Sequence, residues 1–123
     1  MSNTEPFYVA VVDDDENFSR SLGRLLRAAG IQSITYTSAE AFLADSKHPR
    51  FDCLLLDIQL GGMSGIELGR RLVAGGRDAP FIYLTAHDDP EERAGAEAIG
   101  CAAFFRKTDS GADVLAAIRR AAR

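Results

Sequence analysis

Polar residues stand where four short apolar runs stop. Val9-Ala10-Val11-Val12 runs into Asp13 and Asp14, Cys53-Leu54-Leu55-Leu56 into Asp57, Phe81-Ile82-Tyr83-Leu84 into Thr85, and Ala102-Ala103-Phe104-Phe105 ends just before Lys107. If one edge of a sheet gathers these ends, three carboxylates meet there and repel, each unit of raised pKa costing ~1.4 kcal/mol. A hard divalent cation relieves that repulsion. Mg²⁺ takes one or two protein carboxylates, keeps several waters and accepts phosphate oxygens. Lys107 is a point charge suited to a phosphate, and Thr85 offers a hydroxyl donor. A carboxylate beside such a cation, a lysine and a hydroxyl can attack phosphorus and form an acyl phosphate. The metal and the lysine then stabilise charge on the equatorial oxygens of an in-line transfer. Asp57, closing the most continuous of the runs, stands at the centre of this chemistry.

The strands and helices that carry these residues are legible in order. Phe7 to Val12 predicts a buried strand, and Phe18, Leu22, Leu25, Leu26 and Ala29 recur at helical spacing until Gly30, a residue suited to ending a helix. Ile31 to Thr37 alternates, as an edge strand with one wetter face does. Ser38 caps a second helix anchored by Phe42 and Leu43, and Pro49 closes that segment before the strand Phe51 to Leu56. A continuous apolar run followed by a glycine-rich break (Gly61, Gly62) reads as a central parallel strand. In open parallel sheets the ligand crevice lies beyond the carboxyl ends of the strands, which is where Asp57 falls.

Ser64-Gly65-Ile66-Glu67 is a capping-box pattern, with Leu68, Leu72 and Val73 continuing the helix to Gly75-Gly76. Pro80 to Leu84 is the fourth strand, and Asp89-Pro90 opens a fourth helix as cap and first residue. That helix offers only Ala94, Ala96, Ala98 and Ile99 around Gly95, so little apolar area anchors it. After Gly100, Ala102 to Phe105 is the fifth strand. Asp109 or Ser110 caps the last helix, striped by Val114, Leu115, Ile118 and Ala122. Five strand–helix units with right-handed crossovers make an α/β, doubly wound parallel sheet.

Composition bounds the function. The 123 residues suffice for one domain, residues 1–123, with a single core. Apolar residues at 46% and charged residues at 26% match a soluble globular protein. The formal net charge of −4 leaves no basic surface for nucleic acid and favours a cation or a partner's basic patch. Cys53 and Cys101 form no C-x-x-C pair and read as reduced thiols of a cytoplasmic protein. Met1 to Pro6 lacks the basic-then-apolar build of a signal peptide. The apolar runs fall far short of the ~20 residues of a membrane helix.

The constellation resembles the receiver domain of two-component response regulators, typified by the chemotaxis response regulator, over essentially the whole chain. Val12-Asp13-Asp14-Asp15, Leu55-Leu56-Asp57, Tyr83-Leu84-Thr85-Ala86 and Phe104-Phe105-Arg106-Lys107 carry the resemblance; each is weak alone, and the four in order are specific. It implies a flavodoxin-like (βα)5 sheet of strand order 2-1-3-4-5. It implies that Asp57 takes a phosphoryl group from a phosphohistidine of a sensor histidine kinase or a histidine phosphotransfer protein. Asp13, Asp14 and Asp57, with the backbone carbonyl of Gln59, would hold Mg²⁺, for which Mn²⁺ could substitute. Thr85 would swing toward the phosphate, Phe104 would turn inward with it, and Lys107 would pair with the phosphate. Gln59 and His87 match positions flanking the attacking water and would tune phosphate lifetime.

Self-phosphorylation and autodephosphorylation would be the only reactions. The face of the fourth helix, fifth strand and fifth helix would signal to a target or an output domain, which these residues do not include. Two departures stand out. Thr108 replaces the proline that usually follows the lysine, so the preceding bond is predicted trans, with an altered loop before the last helix. Gly61 replaces another frequent proline and should free its loop.

Two other readings compete. A haloacid-dehalogenase-type phosphatase would use Asp13 as nucleophile with Asp15, Thr85 and Lys107, but it needs a later acidic pair, and only Asp109 and Asp113 follow Lys107. A pseudo-receiver would bind partners without ever carrying phosphate, which the full acidic set, Asp57 and Lys107 argue against. A flavodoxin-type cofactor binder would need a Ser/Thr/Gly-rich first loop, and here that loop is acidic.

Overall fold

The computed structural model describes residues 7–122, so the Met1 to Pro6 stretch lies outside the described residues. Ten elements alternate: β1 (Tyr8–Val12), α1 (Glu16–Ala28), β2 (Gln32–Tyr36), α2 (Ala39–Ala44), β3 (Cys53–Asp57), α3 (Gly65–Ala74), β4 (Phe81–Thr85), α4 (Pro90–Ala98), β5 (Ala103–Arg106) and α5 (Gly111–Ala121). The strands form one parallel sheet in the order β2-β1-β3-β4-β5. The α/β, doubly wound, flavodoxin-like expectation is met, with β2 at one edge.

Side chains alternate across a strand, so the continuous apolar runs feed two cores at once. Ala10, Val12, Leu54, Leu56, Phe81 and Tyr83 pack on the face covered by α2, α3 and α4. Val9, Val11, Cys53, Leu55, Ile82 and Leu84 pack on the face covered by α1 and α5. Both faces are buried, which is why β1, β3 and β4 show almost no polar residues.

The helix ends follow the sequence closely. Asp15, Ser38, Ser64, Asp89 and Ser110 each accept a backbone N–H of the first turn of their helix. Ser110, rather than Asp109, therefore caps α5. Asp109 instead closes the turn after β5: its carboxylate accepts the Arg106 N–H at 2.8 Å, and its own N–H donates to the Arg106 carbonyl at 3.0 Å. Every peptide bond among the described residues is trans, as expected for the bond before Thr108. The capping box at α3 is half made. Ser64 Oγ accepts the Glu67 N–H, while the Glu67 carboxylate turns to Arg70 and Arg71.

Two predicted core residues are exposed, Leu43 at 39% and Val73 at 51%. The cause is helical phase. α2 buries Ala39 and Phe42, and α3 buries Gly65, Leu68, Gly69 and Leu72; Leu43 and Val73 follow Phe42 and Leu72 and are turned about 100° from them, off the buried stripe. Ile58 and Leu60, in the loop after β3, are buried instead. They pin that loop on one side of Gly61, and the Met63 N–H bonded to the Glu40 carboxylate at 2.9 Å holds the other. The freedom Gly61 gives is confined between those anchors. In α4 only Ala96 is buried, as its composition foretold.

Candidate functional site

Register assembles the site. Val12 pairs with Leu56, so Asp13 and Asp57 are the next residues on adjacent strands. Asp57 pairs with Leu84, and Thr85 pairs with Arg106, so Thr85 and Lys107 follow at the same rim. Alternation then sorts the side chains. Asp13, Asp57 and Lys107 continue the parity of the residues packed toward α1 and α5, whereas Thr85 and Phe104 continue the parity of Tyr83, toward α3 and α4. The acidic centre and the hydroxyl lie on opposite sides of one sheet edge.

Asp13 and Asp57 are buried, at 2% and 4% exposure, and Asp14 is exposed. One oxygen of each of these three carboxylates lies within 4.8 Å of the others. Lys107 reaches across β4 to meet them. Its Nζ is 2.8 Å from Asp13 Oδ2, 3.1 Å from Asp13 Oδ1 and 3.2 Å from Asp57 Oδ2. From β5 to β3 is two strand spacings, about 9–10 Å, which the long unbranched stem covers to reach Asp57, and Asp13 leans in from β1, one strand farther. The ammonium also lies 4.7 Å from the centre of the Phe18 ring, a cation–π contact from α1. Phe18 reads as plain helix core in the sequence, and nothing local marks this second role.

Charge balance at the centre is incomplete. Burial and the neighbouring Asp13 charge push the Asp57 carboxyl up to about 6, against the pull of Lys107 and the Gln59 N–H. Burial also works against the Lys107 charge, but its bonds to Asp13 and Asp57 outweigh that and hold its pKa above the ordinary value. Lys107 therefore pairs with two buried carboxylates, and the exposed Asp14 stands beside them. The donor set is all carboxylate oxygen, with no histidine or cysteine among the three, which suits a hard cation such as Mg²⁺ rather than a soft one. The residues fit the expected ion.

Backbone packing fixes where Asp57 sits. Its Oδ1 accepts the Gln59 N–H at 3.1 Å. Gly65, the first residue of α3, lies so close to the Asp57 carbonyl that a Cβ there would collide with it. The buried Tyr83 hydroxyl donates to the Gly65 carbonyl at 2.7 Å, tying α3 to β4 beneath the acid.

The second half of the site is a hydrogen-bonded cluster. The Thr85 hydroxyl, fully buried, has the Gln59 Oε1 at 3.0 Å and the His87 carbonyl at 2.8 Å as acceptors, and itself accepts the His87 N–H at 3.2 Å. Gln59 and His87 are exposed, His87 meeting Thr85 through its backbone. Gln59 Nε2 donates to Glu92 of α4 at 2.7 Å. Phe104 is half-buried under α4, its ring 6.5 Å from that of Tyr83 and 5.0 Å from the Arg93 guanidinium. Arg93 also pairs with Asp88 and Glu97, and Asp88 with Arg106. Glu92, Gly65 and the Tyr83 hydroxyl escape a reading of the sequence, because each acts through a contact with a distant segment.

The family model of the response regulator receiver domain matches residues 9–119. The chain belongs to the response regulator receiver family. It is 34% identical over 119 residues to the response regulator protein TmoT of Ectopseudomonas mendocina, covering 97% of this chain and 54% of that protein. It is 35% identical over 115 residues to the transcriptional regulatory protein FixJ of Azorhizobium caulinodans, covering 94% and 54%. The chain thus spans about half the length of these curated relatives. Among solved structures, FixJ-N superposes with a TM-score of 0.87 at 33% identity, covering 97% of this chain and 95% of that one. A response regulator receiver protein from Burkholderia phymatum gives 0.76 at 41%, covering 94% and 96%. The receiver is a signalling domain that works as a phosphoryl-accepting switch rather than as a turnover enzyme, and membership sets the dehalogenase-type phosphatase aside. The acidic pocket of Asp13, Asp14 and Asp57 stands where a receiver could hold a metal.

Proposed function

We propose that Asp57 is the phosphoacceptor of this receiver and takes its phosphoryl group from a phosphohistidine of a sensor kinase or phosphotransfer protein. A carboxylate oxygen of Asp57 bonds to phosphorus as the P–N bond breaks, and the imidazole leaves with the electron pair of that bond. The observation that carries the reading is the pairing of a buried Asp57 with Lys107 Nζ at 3.2 Å beside Asp13 and Asp14. Asp13, Asp14, Asp57 and the Gln59 carbonyl would hold Mg²⁺, or Mn²⁺ in its place. That ion supplies charge stabilisation for the phosphoryl oxygens and keeps Asp57 ionised.

This chain's residues do the rest. Lys107, already shared between Asp13 and Asp57, is placed to move onto a phosphoryl oxygen. Thr85 turns its hydroxyl from Gln59 and His87 toward the new group, and Phe104 follows inward from beneath Arg93. Gln59 and His87 flank the approach of water and set the lifetime of the phosphate. α4, anchored by one buried alanine, then shifts against β5 and α5. That face signals to a target protein or to an output domain outside residues 1–123, with no direct contact between this domain and nucleic acid or membrane. Among the described residues no helix is long and apolar enough to cross a membrane, and we place the domain in the cytoplasm beside its kinase.

Incubation with acetyl phosphate and Mg²⁺ tests the reading by mass. The wild type gains about 80 Da, base-labile as an acyl phosphate is, and Asp57→Asn gains nothing. An adduct that persists in Asp57→Asn, or a folded wild type that takes up no phosphate and leaves the pseudo-receiver standing, would overturn it.

A further inference from the structure

The contact between Gln59 and Glu92 joins the loop after β3 to the first turn of α4, 33 residues away. A carboxamide can present either end to a neighbour, and only its hydrogen-bond partners fix which. An ionised carboxylate only accepts, so Glu92 compels Gln59 to show it the NH2 group. The amide oxygen is thereby turned to the other side, where it faces the Thr85 hydroxyl at 3.0 Å. Thr85 has one proton, and its two acceptors are Gln59 Oε1 and the His87 carbonyl rather than a carboxylate oxygen of Asp57. A line thus runs from Thr85 through Gln59 to Glu92, with the His87 carbonyl sharing the Thr85 proton.

We infer that Glu92 is a positioning residue: it fixes the orientation of the Gln59 amide and, through it, adds to the His87 carbonyl a second acceptor that holds the Thr85 hydroxyl in its resting position, while tying α4 to the site. The inference rests on the proposed function for its consequence and on geometry alone for its existence. A phosphoryl group offers only acceptor oxygens, so neither the Gln59 oxygen nor Glu92 gains from facing it. Seating Thr85 on the phosphate breaks the Thr85–Gln59 bond, and any turn of the Gln59 NH2 toward the phosphate breaks the Glu92 bond as well. The first turn of α4 is then released at the end nearest the chemistry. Arg93, the next residue, lies over the ring of Phe104, so release at Glu92 loosens the cover of the aromatic as well. α4 buries a single alanine, which makes a polar tether at its first turn a large share of what holds that end.

The test is a double-mutant cycle on the full chain with Gln59→Ala and Glu92→Ala, plus Glu92→Gln. The first readout needs no phosphate. In the ¹⁵N-labelled resting protein the Gln59 side-chain NH2 pair should be well separated and protected. It should collapse to free-amide positions in Glu92→Ala and take an intermediate value in Glu92→Gln, which keeps an acceptor without the charge. The second readout is the initial rate of labelling by acetyl phosphate with Mg²⁺. Glu92→Ala should speed it roughly three- to fivefold, the factor that a partly exposed charge-assisted hydrogen bond corresponds to. In the Gln59→Ala background the same change should do nothing, because the tether is already cut.

Equal effects of Glu92→Ala in both backgrounds would show that Glu92 acts elsewhere and overturn the inference. So would a Gln59 NH2 pair that ignores Glu92→Ala. If the wild type takes no label at all, the function reading fails, and the amide signals still decide the role of Glu92.

Discussion

Replacing Asp57 by asparagine should stabilise the metal-free protein, although it removes the residue on which the function turns. In the folded chain the carboxyl is raised from 3.8 to about 6, by burial first and the Asp13 charge second. A raised carboxylate binds its proton more tightly folded than unfolded. Holding it ionised at neutral pH therefore costs about 3 kcal/mol, at ~1.4 kcal/mol for each tenfold gain in proton affinity. The amide keeps an acceptor for Lys107 Nζ and for the Gln59 N–H but loses part of the ionic contact, which lowers the expected gain to about 1–2 kcal/mol. For a domain of this size that is a rise in Tm of roughly 4–8 °C.

The sign with pH follows directly. Below about pH 4 Asp57 is protonated in both states and the two proteins should be equally stable. Between pH 4 and 6 the unfolded chain loses its proton first, so the wild type falls behind Asp57→Asn. Above pH 6 the gap is constant. Urea unfolding in EDTA at pH 3.5, 5 and 7.5 measures it. Saturating Mg²⁺ at pH 7.5 should then raise the wild type by linkage and leave Asp57→Asn nearly unmoved. A variant less stable than wild type at pH 7.5 in EDTA, or a gap that does not change from pH 3.5 to 7.5, would refute the account of the site as a charge cluster short of cations.

Other substitutions probe the supports. Lys107→Ala strips the ammonium that pairs with Asp13 and Asp57 and should cost about 3 kcal/mol in urea at pH 7.5 without metal, with part of the loss recovered by Mg²⁺. Gly65→Ala forces a methyl into the Asp57 carbonyl. It should cost about 1–3 kcal/mol and weaken Mg²⁺ binding by calorimetry, because relief of the clash moves the end of β3. Tyr83→Phe removes the hydroxyl that donates to the Gly65 carbonyl and ties α3 to β4, and should lower stability by about 1 kcal/mol, read by thermal denaturation.

Local order is what the amino-acid sequence encodes unaided. Apolar runs ending in Asp13, Asp57, Thr85 and Lys107 marked the strands and the rim, and capping residues such as Ser38, Asp89 and Ser110 marked the helix starts, because period, cap and turn chemistry act within a few residues. The parallel sheet followed from strand–helix alternation. Whatever needs two distant segments in register was left to the packed fold. Pairing of Val12 with Leu56 set Asp13 beside Asp57, and strand parity put Lys107 with the acids but Thr85 with α4. Helical phase left Leu43 and Val73 in solvent while the loop residues Ile58 and Leu60 went inside. Phe18 beneath the lysine and Glu92 on the Gln59 amide belong to the same class. A hydrogen bond or a ring face contributes only when the fold has already brought its partner within a few ångströms, and no spacing along the chain encodes that meeting.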